Sequence, residues 1–169
     1  MGEFPSCALG VEISGDRLSC AVAKAWRQPD DRVAVKVVWR GAPGFAADVV
    51  DALYVADELV EVALDPRSPS VTLVAPLAER GIVVRRLGAE DVAVAHGELL
   101  DLVASGGLRH FGQAELTAAV RGAGQRPVAG AAGWDRRVVP DQSPLLAANG
   151  AVWALRRWEE VSSPGVYVM

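Results

Sequence analysis

Up to Trp39 short apolar stretches separated by turn residues read as a β-meander. Ala8–Ile13 is a short apolar run broken by one carboxylate, Glu12, and it ends at the turn-forming Ser14-Gly-Asp-Arg17. Leu18 to Trp26 supplies a second strand and Gln28-Pro-Asp-Asp31 a second turn. From Val33 the alternation is strict, with Val33, Val35, Val37 and Trp39 on one face. Three antiparallel strands are therefore expected before any helix.

The rhythm then changes. After the Gly41-Ala-Pro-Gly44 breaker, Phe45, Val49, Leu53 and Ala56 recur at helical spacing, predicting a helix to about Glu58. Leu59–Leu64 reads as a strand closed by Asp65-Pro66. A short helix is expected over 69–79, with Ser68 as N-cap and Pro69 at the first position, where its missing N–H costs nothing. Ile82–Arg86 reads as a strand. Val92, Ala95, Leu99, Leu102 and Val103 mark a helix ending near Gly106-Gly107, and 113–121 another short one. The Gly- and Ala-rich stretch 122–133 reads as a loop or irregular edge, and Trp134–Pro140 as a short strand. The last helix is expected to start with Ser143 as N-cap and Pro144 at the first position, burying Leu145, Ala148, Val152 and Leu155. One domain is thus expected over 7–160, preceded by linker or junction residues 1–6 and followed by a flexible tail, 161–169.

A three-stranded meander followed by βα units makes a mixed sheet with helices on both faces. This is the ribonuclease H-like order of α/β folds. Plain βα alternation, as in dinucleotide-binding folds, does not begin with a meander.

Composition narrows the function classes. The chain has 169 residues, 51% of them hydrophobic, and a net charge of −4. No apolar run approaches the roughly 18 residues that span a bilayer, and the N-terminus lacks the basic-then-apolar pattern of a secretory signal. Cys7 and Cys20 make neither a disulfide scaffold nor a zinc site, so a reducing cytoplasm is the simplest setting. His96 and His110 are too far apart for a helical zinc pair. All but two of the 17 basic residues are arginine, the exceptions being Lys24 and Lys36. That bias suits bidentate phosphate contacts and equally suits a GC-rich genome, and the net charge gives no bulk electrostatic case for nucleic acid. A mean hydropathy of +0.21 is high for one domain; it fits a sheet covered on both faces or a surface that meets another domain. Phosphate-loop, G-x-S-x-G, C-x-x-C and H-E-x-x-H patterns are all missing, which leaves acids and a metal as nearly the only catalytic chemistry.

Two carboxylates fall where strands should be buried: Glu12 within the first and Asp65 at the end of the fourth. In this strand order those strands are parallel neighbours, and ligands collect at the carboxyl ends of such strands. Burying an ionised carboxylate is costly unless it is paired or binds a metal. A hard divalent cation, Mg²⁺ or Mn²⁺, would relieve the repulsion between two close acids. The plainer alternatives are an edge-strand or arginine-paired Glu12 and an ordinary turn at Asp65. A third acid is sought near the last helix: Asp141, alternatively a turn or auxiliary cap, with Asp135 as rival, alternatively a surface ion pair. Asp16 reads as a turn residue. His110 is an auxiliary candidate at a phosphate or scissile group, or else a capping or packing residue. The five tryptophans read mostly as core or domain-contact residues.

Four segments in order resemble the C-terminal nuclease domain of the large terminase subunit of tailed phages, particularly those infecting actinobacteria: Leu9–Arg17, Ala63–Pro69, Gly107–His110 with Leu116–Val120, and Asp141–Ala148. The resemblance implies a ribonuclease H-like fold and a metal-dependent endonuclease that cuts concatemeric double-stranded phage DNA during genome packaging in the host bacterial cytoplasm. It implies that Glu12, Asp65 and Asp141 carry catalysis on one or two Mg²⁺ or Mn²⁺ ions. Arg17, Arg67, Arg136 and Arg137 would contact DNA, and the terminase ATPase domain, small subunit and portal would be partners. Two departures stand out: the first acid of the family is usually Asp rather than Glu, and the third often sits at the start of the last helix, where this chain has Ser143. Two rivals remain. One is a catalytically weak or inactive docking module of the same fold. The other, more distant, is a phosphotransferase lobe of the actin and sugar-kinase type, which needs more glycine after the first strand and a second lobe.

Overall fold

The computed structural model describes residues 6–138 and 141–163. All but Ser6 of the expected linker, and the tail beyond Ser163, lie outside the described residues. β1 (Cys7–Ile13), β2 (Cys20–Arg27) and β3 (Val33–Gly41) form the expected antiparallel meander. A 3-10 turn at Pro43–Phe45 leads into α1 (Ala46–Ala56) and then β4 (Glu61–Leu64), which pairs in parallel with β1. Ser68 caps a 3-10 turn, Pro69–Leu73, by accepting from Ser70 N, and α2 (Val74–Glu79) follows. The rest is β5 (Arg85–Arg86), α3 (Ala89–Ser105), β6 (Leu108–Arg109), α4 (Ala114–Arg121), a hairpin of β7 (Gln125–Val128) and β8 (Ala131–Trp134), and α5 (Ser143–Ser162). The main sheet runs β5-β4-β1-β2-β3-β6. Among the described residues no helix is long and apolar enough to cross a membrane.

Several expectations change. The strand expected over 82–86 shrinks to Arg85–Arg86. Ile82 is buried but Val83 is 87% exposed, so the segment before the pairing is an irregular approach. Leu108–Arg109, between the two helices, adds a strand beside β3 that the pattern did not predict. The stretch read as a loop is a hairpin whose two-residue turn, Ala129-Gly130, has positive φ at both positions, the geometry that matches the twist of paired strands. Trp134 ends that hairpin rather than starting a strand, and Val139 and Pro140 lie outside the described residues. Gln142, not Ser143, is the N-cap of α5. Asp141 takes over the capping work, with Oδ1 accepting from Ser143 N at 2.9 Å and Oδ2 from Ser143 Oγ at 2.7 Å.

Helices do cover both faces. Leu9, Val11 and Ile13 of β1 pack with Val50 of α1 and Leu77 of α2. Ala8 and alternate residues of β2 and β3 pack under α5, with Leu99 of α3 and Leu116 of α4 beside it. From Ser143 to Leu155 nearly every residue of α5 is buried, and many are small. Small side chains let its backbone lie against the sheet. A Cβ on Gly10 would stand 2.0 Å from Ala147 O and 2.5 Å from Ala151 N, so only glycine fits the middle of β1. Gly10→Ala is therefore expected to cost about 2–3 kcal/mol through overpacking. Gly15→Ala, with nothing within 4 Å of the added carbon, should stay within about 0.5 kcal/mol. Urea denaturation of both variants checks this; equal small effects would show that α5 does not sit so tightly on β1.

Candidate metal centre

The β1–β4 register brings the two acids together. Gly10 pairs with Ala63, and two residues further along each strand stand Glu12 and Asp65, on the same side of the sheet as α5. Both are buried, at 3% and 6% exposure. They converge on one guanidinium. Arg136 Nη2 donates to Asp65 Oδ2 at 2.6 Å, and Arg136 Nε lies 3.6 Å from Glu12 Oε1. Asp65 Oδ1 also accepts from Arg67 N at 2.8 Å and Arg67 Nε at 3.1 Å, which folds Arg67 back over the strand end. Ser68 Oγ reaches Glu12 Oε2 at 3.3 Å, and Ser70 Oγ accepts from Ile13 N, pinning the end of β1 to the turn after Asp65.

The electrostatics split the pair. Burial would raise the pKa of Asp65, but hydrogen bonds from Arg67 and Arg136 outweigh it and hold the carboxyl below its ordinary value. Burial dominates at Glu12, pushing it up to about 8 against the pull of Arg136, with the Asp65 charge adding to the rise. Glu12 Oε1 and Arg136 Nε are both buried, and neither has a hydrogen-bond partner among the described residues. An orphaned carboxylate oxygen facing a second carboxylate across a bound cation is a donor set that suits a hard divalent ion. Among the described residues no group of three or more His, Cys, Asp or Glu side chains is arranged to hold a metal; the convergence is of two acids.

Beside them lies a cavity of about 30 Å³, lined by Glu12, Asp65, Trp134, Arg136 and Asn149 among others. Its wall is latched: Trp134 Nε1 donates to Asn149 Oδ1 at 2.9 Å, and Asn149 Nδ2 to Ala95 O at 2.8 Å. The buried His96 ring meets Trp134 edge-on, 4.5 Å between centroids, and its Nε2 is 3.3 Å from Gln125 Nε2. This network ties the hairpin to α3 and α5, and so fixes the chain that delivers Arg136.

The other candidates lie apart from the convergence. Asp141 binds Ser19 Oγ at 2.8 Å and Arg40 Nη2 at 3.1 Å besides Ser143. Burial opposes its ionisation, but these hydrogen bonds prevail and lower its pKa. Asp135 pairs with Arg137 at 3.0 Å, and that arginine is 81% exposed. Arg17 is exposed at φ 63° in the first turn. His110 is exposed, its Nδ1 accepting from Gly112 N.

Comparison with solved structures adds the fold relationship. The chain superposes on the large terminase of bacteriophage HK97 with a TM-score of 0.69 at 15% identity, covering 90% of this chain and 40% of that one. For the large terminase nuclease of thermophilic phage G20c the TM-score is 0.66 at 13% identity, over 87% and 81% of the chains. For the large terminase nuclease domain of bacteriophage SPP1, solved with bound Mn, it is 0.57 at 14%, over 92% and 88%. The chain has the ribonuclease H-like fold of the large terminase nuclease domains. No protein-family model and no curated protein matches its sequence. The chain spans less than half of the HK97 protein.

In this terminase nuclease fold, sequence reasoning found both converging acids but placed Arg136 outside, as a DNA contact. It also missed the reach of Ser68 and Ser70 to the end of β1; Ser68 was read only as a cap. The inward Arg136 has a titration consequence. Native Glu12 keeps its proton up to about pH 8, whereas its ordinary value is 4.5. Between these values the native state holds more protons than the unfolded chain, so this group's contribution to stability falls as pH rises. His96, lowered by burial, pushes the opposite way, so the informative quantity is wild type minus Glu12→Gln. In chelator, urea denaturation from pH 5 to 8 should show that difference declining, with a slope approaching about 1.4 kcal/mol per pH unit. Parallel profiles would contradict a buried, protonated Glu12.

Proposed function

We propose that this chain is the nuclease part of a phage large terminase, a divalent-metal-dependent endonuclease that cuts double-stranded concatemeric DNA during packaging. The observation that carries it is the convergence of Glu12 and Asp65 on one buried cation position, at the carboxyl ends of adjacent parallel strands, within a terminase nuclease fold. The G20c nuclease has been solved with bound magnesium and the SPP1 domain with bound Mn, which supports Mg²⁺ or Mn²⁺ here.

Glu12 and Asp65 would hold the ion, and Asp141 is the candidate to complete the set or to serve a second one. When bound, the ion supplies Lewis-acid chemistry, activating water and offsetting charge on the phosphodiester. The residues do the positioning. Ser68 and Ser70 hold the ends of β1 and the following turn together, which sets the spacing of the two carboxylates. Glu12 must give up its proton to serve as a ligand, so ion uptake is coupled to proton release. Arg67 and Arg137, both exposed, suit phosphate contacts that fix register without reading bases; Arg17 extends that set.

The ATPase domain, small subunit and portal are the proposed partners, and the host cytoplasm the proposed setting. An apolar groove of about 400 Å³ between α3 and α4, lined by Leu99, Val103, Leu116 and Val120, supports contact with another part of such a motor. A second reading, an inactive docking module, is favoured by the guanidinium that already stands between the two acids.

Plasmid nicking separates the two readings. Wild type should nick supercoiled DNA with Mn²⁺ and not with chelator, and Asp65→Ala should lose at least about a hundred-fold in rate, less than the several kcal/mol a metal ion contributes to such reactions. Equal nicking by both proteins would sink the nuclease assignment to this site.

A further inference from the structure

Arg136 reaches the site from a different part of the chain than its partners. It follows β8, and its guanidinium spans both acids from a position only 18% exposed. A permanent buried ion bridge needs its hydrogen bonds closed, because an unmet donor or acceptor costs the full desolvation of that group. This bridge is half closed. Nη2 is well placed on Asp65, but Nε stands 3.6 Å from Glu12 Oε1, and each of those two atoms lacks a hydrogen-bond partner among the described residues. Asp65 also accepts from Arg67 N and the Arg67 guanidinium, contacts that do not run through Arg136.

The backbone that carries Arg136 is held independently of that contact. Asp135 N donates to Gly124 O at 2.8 Å, Trp134 is latched to Asn149, and the neighbouring Arg137 pairs with Asp135. The side chain can therefore leave by rotation about its own bonds while the hairpin stays in place.

We propose that Arg136 is an internal counter-cation of this centre: it occupies the cation position between Glu12 and Asp65 in the metal-free protein, is displaced when a divalent ion enters, and is thereby released toward the DNA backbone. The inference rests on the metal reading of the site and adds a competition between guanidinium and metal. It keeps two buried acids compatible with folding before an ion arrives, and it sets a threshold that the ion must overcome.

The test measures binding rather than activity. Isothermal calorimetry with Mn²⁺ alone compares wild type, Arg136→Ala and the double variant Arg136→Ala/Asp65→Ala. Arg136→Ala should bind Mn²⁺ at least about ten-fold more tightly, the scale of one charge-assisted hydrogen bond no longer displaced. Millimolar guanidinium ion should weaken that binding back toward the wild-type value, and the double variant should not bind. Equal or weaker binding by Arg136→Ala, or indifference to guanidinium, would overturn the competition while leaving the metal site standing. Absence of Mn²⁺ binding by both wild type and Arg136→Ala would overturn the metal reading itself.

Should Arg136→Ala fail to fold, the wild type carries the test. Titrating Mg²⁺ should shift the ¹⁵N–¹H resonance of Arg136 Nε, assigned by its loss in Arg136→Lys, in step with Mg²⁺ uptake. A saturated site with that resonance unmoved would overturn the proposal.

Discussion

Parallel pairing of β1 with β4 is the constraint on which this molecule turns. It sets Glu12 and Asp65 side by side at the carboxyl ends of two buried strands, and no arrangement of the sheet that keeps this register can separate them. Two adjacent carboxylates under a helix are costly unless a cation stands between them or one carries a proton. The protein does both: Arg136 bridges the pair, and burial keeps Glu12 protonated to about pH 8. The proposed metal centre and the ion pair with Arg136 would then be two occupancies of one place.

The rest of the fold serves that place. Gly10 lets α5 close over β1, which seals the pair from above and leaves a cavity of about 30 Å³ beside it. The β7–β8 hairpin, locked through Trp134 to Asn149 and against His96, carries the arginine in. The serine-rich turn after Asp65 fastens both strand ends. Asp141 meanwhile is spent on Ser143, Ser19 and Arg40. Recruiting it to a second ion would mean breaking the cap of α5, so the proposed centre needs only the two acids.

How much of this was legible in the residues follows from period and length. The meander, β4, α3 and α5 announce themselves because their apolar positions repeat often enough to define a face. β5 was legible as a strand but overlong, because Val83 is an exposed apolar residue that does not pair; β6, at two residues, is too short to show any period, and only pairing with β3 makes it a strand. The hairpin hid because its turn uses Ala129 at positive φ, where glycine or asparagine would have been the signal. Glu12 and Asp65 stood out as charges in apolar runs. Arg136 did not, since Arg136 and Arg137 are indistinguishable in sequence; only the twist of the chain after β8 turns one inward and leaves the other 81% exposed.

The central claim is that one cation position lies between Glu12 and Asp65, taken by either arginine or metal. Crystals grown in chelator and then soaked in Mn²⁺ test it by anomalous diffraction. The expected result is a peak within coordination distance of both carboxylates, with the Arg136 guanidinium moved off Asp65. A fully soaked crystal with no peak there, or with a peak elsewhere and Arg136 still bridging the acids, would contradict it.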